Sequence, residues 1–178
     1  MTAIERSIKK SSQSFLSVVW PVLQEVIDGD VMPIEGVIDS TLSGLIDMQT
    51  GIDVFHIHNS GIRGLASRVQ PYGKSWDMFT VRRDKSGNNN TEYQKRKYAI
   101  ETGNSLYPQL TSHAYLSQDS MELISVALAY TEDIIKMIDN DMHQDIKRAG
   151  NETFFCVGWW DMRSVSHDVQ VYRNGEWL

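Results

Sequence analysis

This sequence predicts an α/β fold of the α+β kind, a central mixed β-sheet flanked by helices, and three observations predict it. Apolar residues recur at helical spacing near the start and again in the last third. Between and after those stretches lie short runs rich in Val, Ile and Phe, each bounded by turn residues. The two kinds of segment alternate without an internal repeat, a low-complexity tract or a linker, so one domain over residues 1–178 is expected. Apolar residues make up 41% of the chain, enough for a core of that size.

The elements follow in order. Ile4, Ile8, Phe15, Val19, Val22 and Val26 form the stripe of an N-terminal helix, which Pro21 bends or restarts and Gly29 and Asp30 stop. Residues 44–58 and 62–70 read as two strands, with Asn59, Ser60 and Gly61 as the turn between them. Residues 76–83 read as a third strand, and 86–90 as an Asn-rich loop. Thr91 followed by Glu92 opens a helix that runs to Thr102 and stops at Gly103. Residues 110–116 are a further strand. Asp119 or Ser120 then caps a helix through Ile124, Leu128, Ile135, Ile138 and Met142, and residues 153–160 and 168–172 close the chain as strands.

The charge is segregated. Seventeen Lys and Arg against 23 Asp and Glu leave a total of −6, a balance that by itself argues against a nucleic-acid partner. Residues 63–97, however, hold nine basic residues and three acidic ones. That window carries +6 and the remainder −12. The single cysteine, Cys156, excludes an internal disulfide framework and a cysteine-rich zinc module, and its apolar surroundings make it a buried thiol. No apolar run approaches the roughly 18 residues of a membrane span, and residues 1–14 lack the apolar centre of a signal peptide. The expectation is a cytoplasmic protein with no membrane partner. The P-loop, Gly-X-Gly-X-X-Gly and Gly-X-Ser-X-Gly motifs are all absent.

The order helix–strand–strand–strand–helix–strand is that of the PD-(D/E)XK nuclease core, and the text resembles that superfamily over about residues 10–116. Residues 119–178 then form a C-terminal helix and strand extension. Asp53, in Gly51-Ile52-Asp53, stands where these nucleases carry a metal-binding aspartate. Ala66-Ser67-Arg68-Val69-Gln70 stands where they usually have Glu-X-Lys, and Gln94-X-X-X-Tyr98 is similar to the Gln-X-X-X-Tyr element of RecB-like members. The resemblance implies a restriction-endonuclease-like core and a DNA endonuclease or phosphodiesterase that uses Mg²⁺ or Mn²⁺. It assigns Asp53, Arg68, Gln70 and Glu92 to catalysis, and Asp53 to the metal with Asp47 or Glu92 as second carboxylate. Arg82, Arg83, Lys95, Arg96 and Lys97 would hold the DNA backbone. The size and the Asn-rich loop are compatible with a phage or mobile-element origin, and small nucleases of this kind often form homodimers.

The departure from the family pattern is chemical. No lysine lies on the strand of residues 62–70, where Arg68 and Gln70 stand, and arginine can clamp a phosphate but cannot serve as a base. Two readings therefore stand: a variant site that cuts, or a nuclease-like module that binds nucleic acid or a protein partner without cutting. Plainer roles stand beside each residue. Asp47 and Asp53 flank Thr50-Gly51 and suit a turn. The basic residues suit a solvated face, and Glu92 suits a helix N-terminus. His56-X-His58 places two imidazoles on one side of a strand, but Asp53 has the opposite parity, so a shared metal site would need a bulge.

Overall fold

The computed structural model describes residues 11–34, 49–85, 90–103, 105–148 and 152–178. It is a mixed α/β fold, with a seven-stranded mixed sheet, a three-stranded sheet and flanking helices. The N-terminal helical segment is α1 (Phe15–Val19), wound as a π-helix, continuing into α2 (Trp20–Leu23). Pro21 explains the change of winding: it has no N–H to give the carbonyl four residues back, and its ring crowds that carbonyl. Strands β1 (Asp30–Pro33), β2 (Val54–His58) and β3 (Gly61–Gln70) then form an antiparallel meander. β4 (Met78–Lys85) leaves the sheet, α3 (Glu92–Thr102) follows, and β5 (Pro108–Leu116) returns beside β3 in parallel.

Antiparallel pairing resumes with β6 (Leu123–Tyr130), which leads into α4 (Thr131–Asp139). β7 (Gln144–Arg148) and β8 (Glu152–Gly158) join β4 in the second sheet, in the order β4-β8-β7. α5 (Trp159–Val165) precedes β9 (Gln170–Arg173) and β10 (Glu176–Trp177), which complete the large sheet in the order β1-β2-β3-β5-β6-β9-β10.

The sheet buries both faces. One face, with Leu65, Leu110, Ala114, Leu116, Val126 and Leu128, packs on Phe15, Val19, Trp20 and Leu23 of the N-terminal helices. The other, with Tyr115, Ala127, Ala129 and Val171, packs on Phe79, Val81, Phe155 and Val157 of the small sheet. Ile134, Ile135 and Ile138 of α4, and Trp159 and Met162 of α5, close that second layer. No helix among the described residues is long and apolar enough to cross a membrane.

Several sequence expectations need correction. The long helix expected from Asp119 or Ser120 to Met142 is a strand, β6, followed by a shorter helix, α4. In β6 both faces are covered, with Val126 and Leu128 packed on one side and Ile124, Ala127 and Ala129 on the other, so the strand has no wet face. A continuous apolar run of that kind satisfies helical spacing by accident. Residues 76–83 do form a strand, but it belongs to the second sheet and not beside β3. Trp159 and Trp160 open α5 and do not end a strand. β1 and β7 carried no strand signal. The stretch before β2 starts its pairing at Val54, and positions 44–48, with Asp47, lie outside the described residues, as do residues 1–10 of the N-terminal stripe.

Candidate functional site

Between β3, β4, β5 and the start of α3 lies a cleft of about 410 Å³. The parallel β3–β5 pair forms its floor, because a parallel connection must cross over one face of the sheet and so carries β4 and α3 above that floor. Asp53 reaches it from the entrance to β2. Its backbone N–H donates to the Leu65 carbonyl at 3.1 Å, extending the β2–β3 pairing by one residue, and its Oδ2 accepts the Ser67 N–H at 2.6 Å. Asp53 is thus tied to β3 twice, once through its backbone and once through its carboxylate.

Arg68 rises from β3 into the same cleft. Its Nη1 donates to Thr80 Oγ1 of β4 at 2.6 Å, its Nη2 lies 3.5 Å from Glu92 Oε2, and its guanidinium stacks over the Phe154 ring at 5.2 Å. Glu92 is the first residue of α3 and the hub of the site. Oε2 also accepts the Arg82 backbone N–H at 3.1 Å, and Oε1 pairs with Arg96 Nη2 at 2.7 Å one turn along the helix. Burial pushes the Glu92 pKa up. Arg96, Arg68 and the Arg82 N–H more than offset that, so the carboxyl is held below its usual value. α3 itself starts cleanly, with Gln94 Oε1 accepting the Thr91 N–H at 3.0 Å in the manner of a capping box.

Lys95 and Arg82 complete the charged lining, and Arg82 also faces Glu152 at 3.6 Å. Four cations, Arg68, Arg82, Lys95 and Arg96, therefore surround two carboxylates, Asp53 and Glu92. The surplus is positive in a chain whose total is −6.

Of the residues predicted from the sequence, the fold brings together Asp53, Arg68, Arg82, Glu92, Lys95 and Arg96. The others lie elsewhere. Gln70 is buried at the end of β3, opposite Tyr115, and does not line the cleft. Arg83 pairs with Asp145 and Asp84 and packs over Phe155, while Lys97 is held by Asp139 of α4 at 2.8 Å and faces Glu101. Asp47 is outside the described residues. The Gln94 side chain serves the helix start, and Tyr98 is exposed.

His56 and His58 do not converge on a metal. His56 Nε2 bonds the Asp28 carbonyl at 2.8 Å, and His58 Nε2 accepts from Arg63 Nε at 2.9 Å. Cys156 is buried in β8, as expected. The cleft also gains Thr80, Ser112 and His113, none of which the sequence singled out for it. His113 stands opposite Arg68 across the parallel pair and stacks on Tyr115 at 4.9 Å.

Among the described residues no group of three or more His, Cys, Asp or Glu side chains is disposed to hold a metal ion. Mg²⁺, however, is commonly held by one or two carboxylates together with substrate phosphates. Asp53 fits that lesser requirement, as a hard oxygen donor in a cleft whose cations would hold the phosphate. Glu92 fits it poorly, since both its oxygens already serve guanidinium groups. No family model, curated protein or solved structure matches this chain.

Proposed function

We propose that the chain is a nuclease-like phosphodiesterase of the PD-(D/E)XK kind, acting on DNA with Mg²⁺ or Mn²⁺ at a variant site. The observation that carries this reading is the convergence of Asp53, Arg68 and Glu92, from three elements, in one cationic cleft. Asp53 is the residue that would hold the metal, which supplies an acidified water and neutralises charge on the phosphate. Arg68, braced by Thr80 and Glu92, presents a fixed fork to a phosphate. Arg82 and Lys95 flank it along the backbone path. Glu92 acts as a positioning residue, because its bonds set where Arg68 and Arg96 stand. The reading places the protein in the cytoplasm, with DNA as its partner and a homodimer as the form that would cut both strands. Phage or mobile-element origin accords with it.

The engagement of Glu92 favours a second reading, a nuclease-like module that grips nucleic acid or a protein without cutting. A single pair of assays separates the two. Under the first, plasmid and linear DNA are cleaved only with Mg²⁺ or Mn²⁺, and Asp53→Asn abolishes cleavage while DNA binding persists. Binding that weakens with salt, with no turnover in any divalent ion, would replace the first reading by the second. Absence of both binding and cleavage would reject both readings as they concern DNA.

A further inference from the structure

Arg96 differs from the other cations of the basic window. It is 3% exposed although it lies in a helix of mostly polar sequence. Its Nη2 is paired with Glu92, but Nε and Nη1 are buried and have no hydrogen-bond partner among the described residues. A guanidinium cannot discharge itself by losing a proton, and its unpaired N–H groups in a low-dielectric site carry their full desolvation penalty. Glu92 cannot relieve them, because its two oxygens are divided among Arg96, Arg68 and the Arg82 N–H. The charged residues that line the cleft sum to a surplus of two positive charges, with Glu152 standing outside the lining beside Arg82.

We propose that the cleft is a receptor for a phosphate dianion, with Arg96 as its buried receiving group and Arg68 and Lys95 at its flanks. The proposal rests on the cleft facing phosphate, as in the functional reading above, but on neither catalysis nor a metal. Charge and shape select the ligand. A carboxylate brings one charge and two oxygens, and an internal phosphodiester brings one charge. A phosphate dianion matches the surplus and offers enough oxygens for the Arg96 fork and a flanking cation together. Arg96 lines the cleft, and its unpartnered Nε and Nη1 are the buried donors on that wall.

The test uses the full chain, free of divalent metal, titrated with inorganic phosphate at constant ionic strength and followed by calorimetry and thermal unfolding. Saturable binding with a rise in Tm is expected. Arg96→Lys, which keeps the charge but removes the fork, should bind at least about tenfold more weakly. Arg83→Ala, which removes one charge from outside the cleft, should bind like the parent. Should Arg96→Lys fail to fold, Arg68→Gln and Lys95→Ala carry the test, each weakening binding about threefold or more. Competition by an oligonucleotide bearing a 5′-phosphate, but not by its 5′-hydroxyl twin, would identify a strand end as the source of the phosphate. Competition by neither would leave the free ion as the ligand. The proposal is overturned if the parent chain shows no saturable phosphate binding, or if the cleft variants bind as it does. No step reads cleavage, so an inactive protein that binds phosphate rejects only the nuclease reading. Cleavage without phosphate binding rejects only this proposal.

Discussion

Glu92 condenses the physics of the site into one side chain. Removing its charge leaves Arg96 buried with no carboxylate, and breaking one partner of a buried pair costs about 3–5 kcal/mol. Glu92→Gln should therefore lower the unfolding free energy by roughly that order, in urea titrations at pH 7. The pH dependence follows in sign. The folded pKa lies below the usual 4.5, so the stabilisation is complete above that value and drains as pH falls through the folded pKa. Between pH 5 and 3 the parent should lose stability more steeply than Glu92→Gln. Parallel slopes would show that Glu92 is not the group responsible. At this scale the sequence was informative about charge but not about burial. Asp53, Arg68 and Glu92 stood out because a carboxylate, a strand arginine and a helix-opening acid each have recognisable positions. Arg96 stood out only as one of five cations for a DNA backbone, and its burial did not, because Glu92-Tyr93-Gln94-Lys95-Arg96-Lys97 has no apolar stripe to say which face turns inward. Thr80 and His113 were invisible for another reason. Their place in the cleft depends on β4 crossing over the sheet and on the parallel register of Arg68 with His113, which no local pattern encodes.

Between elements, His56 ties β2 to the turn that ends the N-terminal helical segment. It is buried, its Nε2 bonds the Asp28 carbonyl, and the ring packs against Trp20 at 5.8 Å and His58 at 5.3 Å. Gly29 allows this close packing. With φ +122 it adopts backbone that L side chains rarely take, and a Cβ there would stand 2.2 Å from the Ile57 carbonyl oxygen. Gly29→Ala should therefore destabilise the fold by several kcal/mol, measured as a lower urea midpoint with an unchanged m-value. Burial pulls the His56 pKa below 6.5, partly countered by the Asp28 carbonyl, with Arg63 and His58 adding to the depression. The unfolded chain then takes up the proton first. Stability is full above pH 6.5 and falls as pH drops toward the folded pKa, by about 1.4 kcal/mol for each unit of depression. Urea midpoints measured from pH 7.5 to 5 should fall for the parent and stay flatter for His56→Gln. Identical profiles would remove His56 from the account. Elements were legible where one face is wet: α3 and β9 lie close to their expected places. They were illegible where packing covers both sides, as in β6, and where a short edge strand such as β1 or β7 exists only because a longer neighbour pairs with it.

Across the whole molecule, the basic window is not one face. The +6 of residues 63–97 is a property of the sequence, and the two-sheet architecture divides it. Arg68, Arg82, Lys95 and Arg96 turn into the cleft, while Arg83 and Lys97 are drawn to Asp145 on β7 and Asp139 on α4, carboxylates from the acidic remainder of the chain. The acidic C-terminal half thus neutralises part of the basic window, while the residues that line the cleft keep more cations than carboxylates. This arrangement makes a quantitative forecast for DNA binding. Removing a cation that touches a DNA phosphate lowers the steepness of log K against log[salt] by about one. Arg82→Ala and Lys95→Ala should each reduce the slope by about that amount, and the double variant by about two. Arg83→Ala with Lys97→Ala removes the same formal charge from the same stretch of sequence, yet should leave the slope unchanged. Fluorescence-anisotropy titrations of a short duplex between 50 and about 200 mM salt would decide the matter. If both double variants flatten the slope equally, the DNA follows the charge of the whole window and the cleft has no special claim. If only the cleft pair does, the fold has selected the binding face out of a charge run that the sequence leaves undivided.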